Sequence, residues 1–469
     1  MMIKDKIQYL ALVFLVLCYE GHTQSFYFGA DLSYINEMQD CGAEYNVSNV
    51  PTDPFEILSD HGVNLARFRL WHTPAWYDNL NAGDRYSDFA DVHHSIMRAK
   101  EQGMDVQLDF HLSDTWADPS HQVAPLAWSA VLNNLPVLQD SLYNYIYATL
   151  DRLASDDLLP EIVQIGNETN KGILLSQATN DSGWVMDWDR NSALFNTAID
   201  AIRDIEAIYQ EEIKIAIHIA DPSDVEWYIG QFTDHGVVDF DVIGISYYYQ
   251  WHEQLFAEVG NIIAALRGDY PGKEVMIFET AYPWTSFNAD GANNLLSVPY
   301  PGYAPFTPQS QLQWLTTLTQ EVIDAGGSGL IYWEPGWVST SCETQFASGS
   351  SWDNATFFDA DHTLIENGGI GWASQEYNFP TGVNIINNAS DMKVYQDGEQ
   401  LHISLSENHT TNNTVFIGLK NIDGRELLLN KIGSIAGNIV LDVTDIVPGI
   451  YFVSVGEKNN VVTEKVFIH

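Results

Sequence analysis

Between Glu161 and Asp221 the chain reads EIVQIGNE (Glu161 to Glu168), then NSALFNTAIDAIRDIEAIY (Asn191 to Tyr209), then KIAIHIAD (Lys214 to Asp221). The outer two segments are short apolar runs rich in Ile and Val, the pattern of strands buried on both faces. The middle one reads as an amphipathic helix ending near a charged turn. Strand, helix, strand in that order is a parallel unit, because parallel neighbours need a long crossover between them.

Outward from this unit the alternation continues. FYFGADLSY near Phe26, LARFRLW from Leu65, DVQLDFHLS from Asp105, VIGISYY from Val242, EVMIFETAY from Glu274 and GLIYWEP from Gly329 supply further strands, and ADVHHSIMRAKEQGM reads as another helix. Eight strands alternating with helices give an α/β fold, a (β/α)8 TIM barrel over residues 25–378, with its chemistry at the C-terminal strand ends. Polar and aromatic residues gather at those ends. They are Arg67, Arg69 and Trp71 on the second strand, His111 and Asp114 after the third, Asn167 and Glu168 after the fourth, His218 on the fifth, Tyr247 and Tyr248 after the sixth, Glu279 on the seventh, and Trp333 and Glu334 after the eighth.

Beyond about Trp372 the pattern changes to short alternating strands with turns (MKVYQDGEQLHISL, TVFIGLKN, NIVLDV, GIYFVSVGEKNNVVTEKVFIH). This predicts a small antiparallel β-sandwich at 392–469, joined through a linker at 379–391 around NIINNASDM.

Composition narrows the function. With 20 Lys+Arg against 63 Asp+Glu the net charge is −43, which repels nucleic acid and anionic membranes at long range and excludes nucleic-acid partners. The first residues, MMIKDKIQYLALVFLVLCYEGHTQS, carry Lys4 and Lys6 before an apolar stretch from Ile7 to Leu17. That stretch is too short to span a bilayer and reads as a secretory signal peptide at 1–24. Leu17 before Cys18 argues against lipid attachment at that cysteine. The protein is expected to be secreted or held at the cell surface.

Two glutamates at separate strand ends of one barrel, Glu168 in IGNETN and Glu279 in IFETAYPW, suit glycoside hydrolysis. One carboxyl protonates the leaving oxygen and the other attacks the anomeric carbon or activates water. Asn167, whose amide can hydrogen-bond a sugar 2-hydroxyl, precedes Glu168, which is therefore assigned as acid/base and Glu279 as nucleophile. Arg67, Arg69 and Tyr247 are the candidates to hold Glu279 ionised. The two arginines, two apart on one strand, point to the same side, and at least one is expected to reach Glu279.

The stretches GADLSY (Gly29 to Tyr34), RFRLW (Arg67 to Trp71), LDFHLSDTWADPSHQ (Leu108 to Gln122), VQIGNETNKGIL (Val163 to Leu174), IGISYYYQWH (Ile243 to His252), FETAYPWT (Phe278 to Thr285) and YWEPGWV (Tyr332 to Val338) closely resemble glycoside hydrolase family 53. These are endo-β-1,4-galactanases that cut type I arabinogalactan. The resemblance implies a retaining mechanism with Glu168 and Glu279 in the roles given above. It also implies that Arg67, His111, Asp114, Asn167, His218, Tyr247 and Trp333 bind the substrate, with Trp116, Trp128 and Trp251 offering stacking faces. No cofactor is expected for the chemistry. Another retaining β-glycanase, acting on glucan or mannan, and a non-catalytic galactan-binding protein are the alternatives, and the DFHLSDTWADP segment argues against the first.

Some family members bind calcium through D-x-D-x-H-x-N and a later Ser-x-x-Asp. Here the run reads Asn288-x-Asp290-x-Ala292-x-Asn294, followed by Ser350-x-x-Asp353. These oxygen ligands suit calcium, but one acid has become an amide and the histidine is lost, so a calcium site and a loop of ordinary turn residues both stay open. Cys41 and Cys342 fall in loops after the first and eighth strands, neighbours in a closed barrel, and are either a disulfide across the rim or two free buried thiols. The C-terminal segment resembles a type IX secretion sorting domain, which implies the secretion machinery as partner. It has Tyr395 and Tyr451 but no tryptophan for a sugar platform. The polysaccharide is the other partner, and a monomer is expected.

Overall fold

The computed structural model describes residues 26–468 apart from 81–82, 184–185, 346, 380–391, 398–399, 406–413, 422–425, 434–437, 444–445, 448 and 458–459. The expected signal peptide and all of the expected linker except Phe379 lie outside the described residues.

Eight strands, β1 (Tyr27–Asp31), β2 (Leu65–Leu70), β3 (Asp105–Phe110), β4 (Ile162–Ile165), β5 (Lys214–Ala220), β6 (Val242–Ser246), β7 (Glu274–Thr280) and β8 (Gly329–Tyr332), form a closed barrel with every neighbour parallel and β8 pairing back onto β1. Helices α1 (Pro54–Asp60), α2 (Phe89–Glu101), α3 (Leu135–Ser155), α4 (Trp188–Tyr209), α5 (Pro222–Asp234), α6 (Phe256–Asp269) and α7 (Pro308–Asp324) each follow the strand of the same number. After β8 the described residues hold a single 3-10 turn, Gly369–Trp372, where a full helix would complete the eighth unit. Five of the seven crossover helices begin at a capping side chain. Asp53, Asp88, Asp187, Asp221 and Thr307 accept backbone N–H bonds at the N-termini of α1, α2, α4, α5 and α7, each cap worth about 1 kcal/mol.

The strand pleat sorts side chains into two layers. On β2, Ala66, Phe68 and Leu70 belong to the main core together with helix residues such as Ile96 and Leu150. Leu65 joins Tyr27, Ile162, Ala216, Val242, Met276, Phe278 and Ile331 in a separate cluster at the base of the barrel interior. Above that cluster the interior turns polar, with Arg67, Arg69, Gln107, Asp109, Gln164 and His218 all buried. Such groups survive burial only when paired, and the site is assembled from their pairing.

One irregularity aims a functional residue. Ile245 pairs with Ile277 and Ser246 with Glu279, while on the other side Leu330 pairs with Ile277 and Tyr332 with Thr280. Strand β7 therefore carries one residue more than either neighbour, a bulge at Phe278 and Glu279 that re-aims side chains. Gly244 makes room for it, since a Cβ there would lie 2.1 Å from the Phe278 ring.

Cys41 and Cys342 are joined as a disulfide, with Cα atoms 5.6 Å apart and a sequence separation of 301. The bond links the β1 and β8 loops at the barrel's closing seam.

The chain divides between Asn378 and Phe379 into two units. The second contains β9 (Met392–Asp397), β10 (Gln400–Leu405), β11 (Thr414–Asn421), β12 (Glu426–Gly433), β13 (Asn438–Asp442), β14 (Gly449–Glu457) and β15 (Asn460–Ile468). They form two antiparallel sheets, ordered β9-β10-β13 and β12-β11-β14-β15. Among the buried residues are Leu401, Ile403, Leu419 and Val453.

Candidate active site

A cleft of about 670 Å³ opens at the C-terminal ends of the strands and is lined by both Glu168 and Glu279. Glu168 does not lie on a strand. It follows Gly166 and Asn167 after β4 and takes a left-handed backbone, φ +45°, at the start of a 3-10 turn over Thr169–Lys171. Non-glycine residues rarely hold that conformation unless their surroundings enforce it. Leu112, Asp221 and Glu334, on the loops after β3, β5 and β8, do the same, so the strained positions cluster at this rim.

Arg67 organises the floor. Its Nε donates to Gln164 Oε1 (3.2 Å), Nη1 to Asp31 Oδ2 (2.8 Å) and Glu279 Oε1 (2.9 Å), and Nη2 to Asp109 Oδ2 (2.8 Å) and Asn167 Oδ1 (2.8 Å). All five guanidinium N–H donors are thereby used. Arg67 reaches Glu279 as expected, whereas Arg69 does not: its Nη1 pairs with Glu334 Oε1 at 2.5 Å, and its guanidinium lies 4.2 Å from the Tyr34 ring centroid and 4.4 Å from that of Trp116.

The tyrosine on Glu279 is Tyr248, not Tyr247. Tyr248 Oη donates to Glu279 Oε2 at 3.2 Å, while the Tyr247 phenol turns away and donates to Gln254 O at 2.6 Å. Burial and the two nearby glutamates push the Tyr248 phenol well above its usual range, so it stays a donor.

Burial, and then the charge of Glu279, push the Glu168 carboxyl well above the usual carboxylate range. Burial also raises Glu279, but the Arg67 guanidinium opposes it. Of this coupled pair Glu279 is the one built to carry the negative charge, with a cation and a phenol on its two oxygens. Glu168 is the one built to keep a proton.

The remaining expected site residues divide. His111, Asn167 and Trp333 line the cleft. Asn167 is oriented by Nδ2 donating to Ala117 O (2.8 Å), which leaves one amide N–H for a ligand. His111 Nδ1 accepts from Trp71 Nε1 (3.2 Å) and Ala117 N (3.3 Å), and its Nε2 lies 3.0 Å from Asp109 Oδ2, so both nitrogens are committed to protein.

Three others lie outside the lining. Asp114 accepts from the backbone of Thr73 (3.0 Å) and Leu126 (2.8 Å), shaping the loops after β2 and β3. His218 is fully buried behind Asn167 and Glu168, and Tyr247 stacks on Trp314. Trp116 and Trp251 line the cleft as expected, whereas Trp128 is buried against His72 and Tyr145.

Tyr248 was named only as a strand-end residue, and Asp31, Asp109, Gln164, Trp337 and Trp352 were not singled out from the sequence. The rings Trp116, Trp333, Trp352 and Trp251 follow one another along the cleft with centroids 6.1, 4.5 and 6.5 Å apart. They give the cleft an aromatic lining.

At the calcium candidates, Asp290 accepts from Ala292 N (2.8 Å) and Ser350 N (2.7 Å), and Ser350 Oγ donates to Trp337 O (2.5 Å). Asn288 donates to Ala292 O, and Asp353 Oδ2 accepts from Ala289 N and Ser339 Oγ, each at 2.8 Å. Asp353 Oδ1 and Asn294 Oδ1 are buried without a hydrogen-bond partner. Among the described residues no group of three or more His, Cys, Asp or Glu is arranged to hold a metal. Of the candidate ligands, Asp353 and Asn294 thus each keep one uncommitted oxygen, while Asp290 and Ser350 are committed to the loop.

The comparisons agree with this geometry. Residues 27–367 match the model of Glycosyl hydrolase family 53, and residues 398–469 match that of a Secretion system C-terminal sorting domain, which marks an exported protein. An arabinogalactan endo-beta-1,4-galactanase of Cellvibrio japonicus is 46% identical over 337 residues, covering 71% of this chain and 87% of that protein. An endo-beta-1,4-galactanase of Bacillus subtilis is 30% identical, covering 76% and 77%. Among solved structures, a family 53 catalytic domain of Ignisphaera aggregans superposes with a TM-score of 0.67 at 30% identity, covering 76% of this chain and 98% of that one. A fungal beta-1,4-galactanase does so at 0.61 and 26%, covering 75% and 99%. The barrel, the two facing glutamates and these matches together place the chain in glycoside hydrolase family 53.

Proposed function

We propose that the protein is an exported endo-β-1,4-galactanase acting on the galactan of type I arabinogalactan by retaining double displacement. The observation that carries the reading is the asymmetry of two carboxyls in one cleft, Glu279 held by Arg67 and Tyr248 and Glu168 desolvated. In the first half Glu168 gives its proton to the glycosidic oxygen as the Glu279 carboxylate attacks the anomeric carbon. The C–O bond breaks and a glycosyl ester forms on Glu279. In the second half Glu168, now ionised, takes a proton from water as the water oxygen attacks the same carbon and frees Glu279. The remaining amide N–H of Asn167 is free to meet the sugar 2-hydroxyl, and the aromatic lining supports an internal stretch of chain. Both carboxyls come from one chain, which supports a monomer.

Reducing-sugar release from a panel of polysaccharides tests the substrate. Linear β-1,4-galactan should be cut fastest, with short oligosaccharides as products. Preferred release from glucan or mannan would contradict the proposal, and so would binding of galactan without cleavage.

The pH dependence follows from the pair. The reaction needs Glu279 ionised and Glu168 protonated, so kcat/KM should be bell-shaped. It falls at low pH as Glu279 takes a proton and at high pH as Glu168 loses one. Because burial raises both carboxyls, both limbs should lie above the ordinary glutamate range, and the apparent values belong to the pair. A profile flat from acid to alkaline pH would count against the assignment.

Calcium enters as a structural ion at the loop of Asn288, Asp290, Asn294, Ser350 and Asp353, where Asp353 and Asn294 keep uncommitted oxygens, with no part in the chemistry. Calcium should then raise the melting temperature by about 1 to 3 °C over chelator-treated protein, and Asp353→Asn should erase the difference. Equal melting temperatures with calcium and with chelator would remove the ion from the account.

For the C-terminal unit, the two sheets are proposed to pack as a sandwich that is read by the secretion machinery. Tyr451 is buried and donates to Val447 O (2.5 Å), which supports sorting over sugar binding. The proposed boundaries are a signal peptide at 1–24, the barrel at 25–378, a linker at 379–391 and the sorting domain at 392–469.

A further inference from the structure

Arg69 has no part in the double displacement, and its bonding is unlike that of Arg67 two positions earlier on β2. Where Arg67 uses all five donors, the equally buried Arg69 pairs with Glu334 through Nη1 alone, and its Nε and Nη2 have no hydrogen-bond partner. Buried donors left unpaired are costly, so other contacts must offset them. Three ring faces do. The guanidinium carbon lies 4.2 Å from the ring centroid of Tyr34, 4.4 Å from that of Trp116 and 4.9 Å from that of Trp71, all within the range at which a ring face attracts a cation.

This box opens onto the cleft. Tyr34 and Trp116 line it, and Tyr34 stacks on a third lining ring, Trp337, with centroids 4.1 Å apart. Trp116 comes from the loop after β3 and is only partly buried. Its indole makes no hydrogen bond among the described residues, so the guanidinium and the edge-on contact with Trp71, at 5.3 Å, are what hold it from below. Glu334 fixes the guanidinium in turn, with Oε1 on Arg69 and Oε2 accepting from Tyr34 N at 3.3 Å.

We propose that Arg69, anchored by Glu334, is a positioning residue for Trp116, holding the indole in the pose in which it stacks on the galactan chain. This rests on the galactanase reading given above. A ring already fixed where the sugar will lie does not have to be ordered when the chain binds, and that saving appears as affinity. The effect belongs to binding, because Arg69 is paired to Glu334 and to neither Glu168 nor Glu279.

The test compares the full chain with Arg69→Lys, Trp116→Ala and the two combined, reading kcat and KM on linear β-1,4-galactan and Kd for a β-1,4-galacto-oligosaccharide by calorimetry. Arg69→Lys keeps the charge beside Glu334, and so the fold, but loses the plane that lies against the rings. KM and Kd should rise about three- to tenfold, the scale of one desolvated cation–ring contact, while kcat moves far less. In the Trp116→Ala background the same substitution should add little, because residues that act through one another are not additive. Arg69→Met combined with Glu334→Gln removes both members of the pair, leaves no buried charge alone and should reproduce the rise. Full additivity with Trp116→Ala, or a lowered melting temperature with KM and Kd in place, would overturn the positioning role. Failure of the galactanase reading shows instead in the unaltered chain. If that chain binds galactan without cutting it, the Kd comparison still decides the role of Arg69.

Discussion

Glu279→Ala is expected to abolish galactan cleavage, a loss on the order of 10⁴-fold or more when the nucleophile is removed. Glu168→Ala should be comparably slow on galactan but nearly normal in the first step on aryl galactosides whose leaving group needs no proton. Azide separates the roles. In Glu279→Ala it can enter the space the carboxylate leaves, and restored turnover should give the α-glycosyl azide. In Glu168→Ala it should intercept the glycosyl ester and give the β-product. The opposite pattern of products would exchange the two assignments. The geometry favours the stated order because Glu279, not Glu168, carries the guanidinium and phenol contacts.

The second large effect is expected at Arg67. Its five donors hold Asp31, Asp109, Glu279, Gln164 and Asn167, so Arg67→Met leaves three buried carboxyls around a vanished cation. Breaking a buried ion pair on one side costs about 3 to 5 kcal/mol, and a deeper loss is expected where one cation serves three partners. Arg67→Lys should recover little, since an ammonium has three donors and no planar fork. Activity should fall at least about 10³-fold in folded protein, reflecting loss of charge stabilisation of the kind that counts most in such sites. The low-pH limb should also move to higher pH, because Arg67 is what holds the Glu279 carboxyl down. Thermal melts and pH profiles of the two variants check this; a variant with an unmoved low-pH limb would show that Arg67 is only a packing element.

The barrel was legible because its strands are buried on both faces, so runs such as KIAIHIAD stand out against helical stretches. Glu168, Glu279 and Arg67 were legible too, as charged residues at the ends of apolar runs, where only pairing or chemistry can keep them. The choice between Tyr247 and Tyr248 was not. Pleat alternation assigns sides only within a strand, and both tyrosines come after β6 has ended, opposite a bulge that no residue type announces. Asp114 was placed at the substrate because its motif resembled a family pattern, but a motif also contains the residues that shape its loop, and Trp128 was offered as a stacking face on residue type alone.

The bond between Cys41 and Cys342 makes the barrel a covalent ring as well as a hydrogen-bonded one. The path from one cysteine to the other passes through β2 to β8, so a single cut in any intervening loop opens the circle without releasing a fragment. Outside the cell, where proteases share the medium with the polysaccharide, a once-nicked barrel remains one molecule with its two glutamates still tethered together.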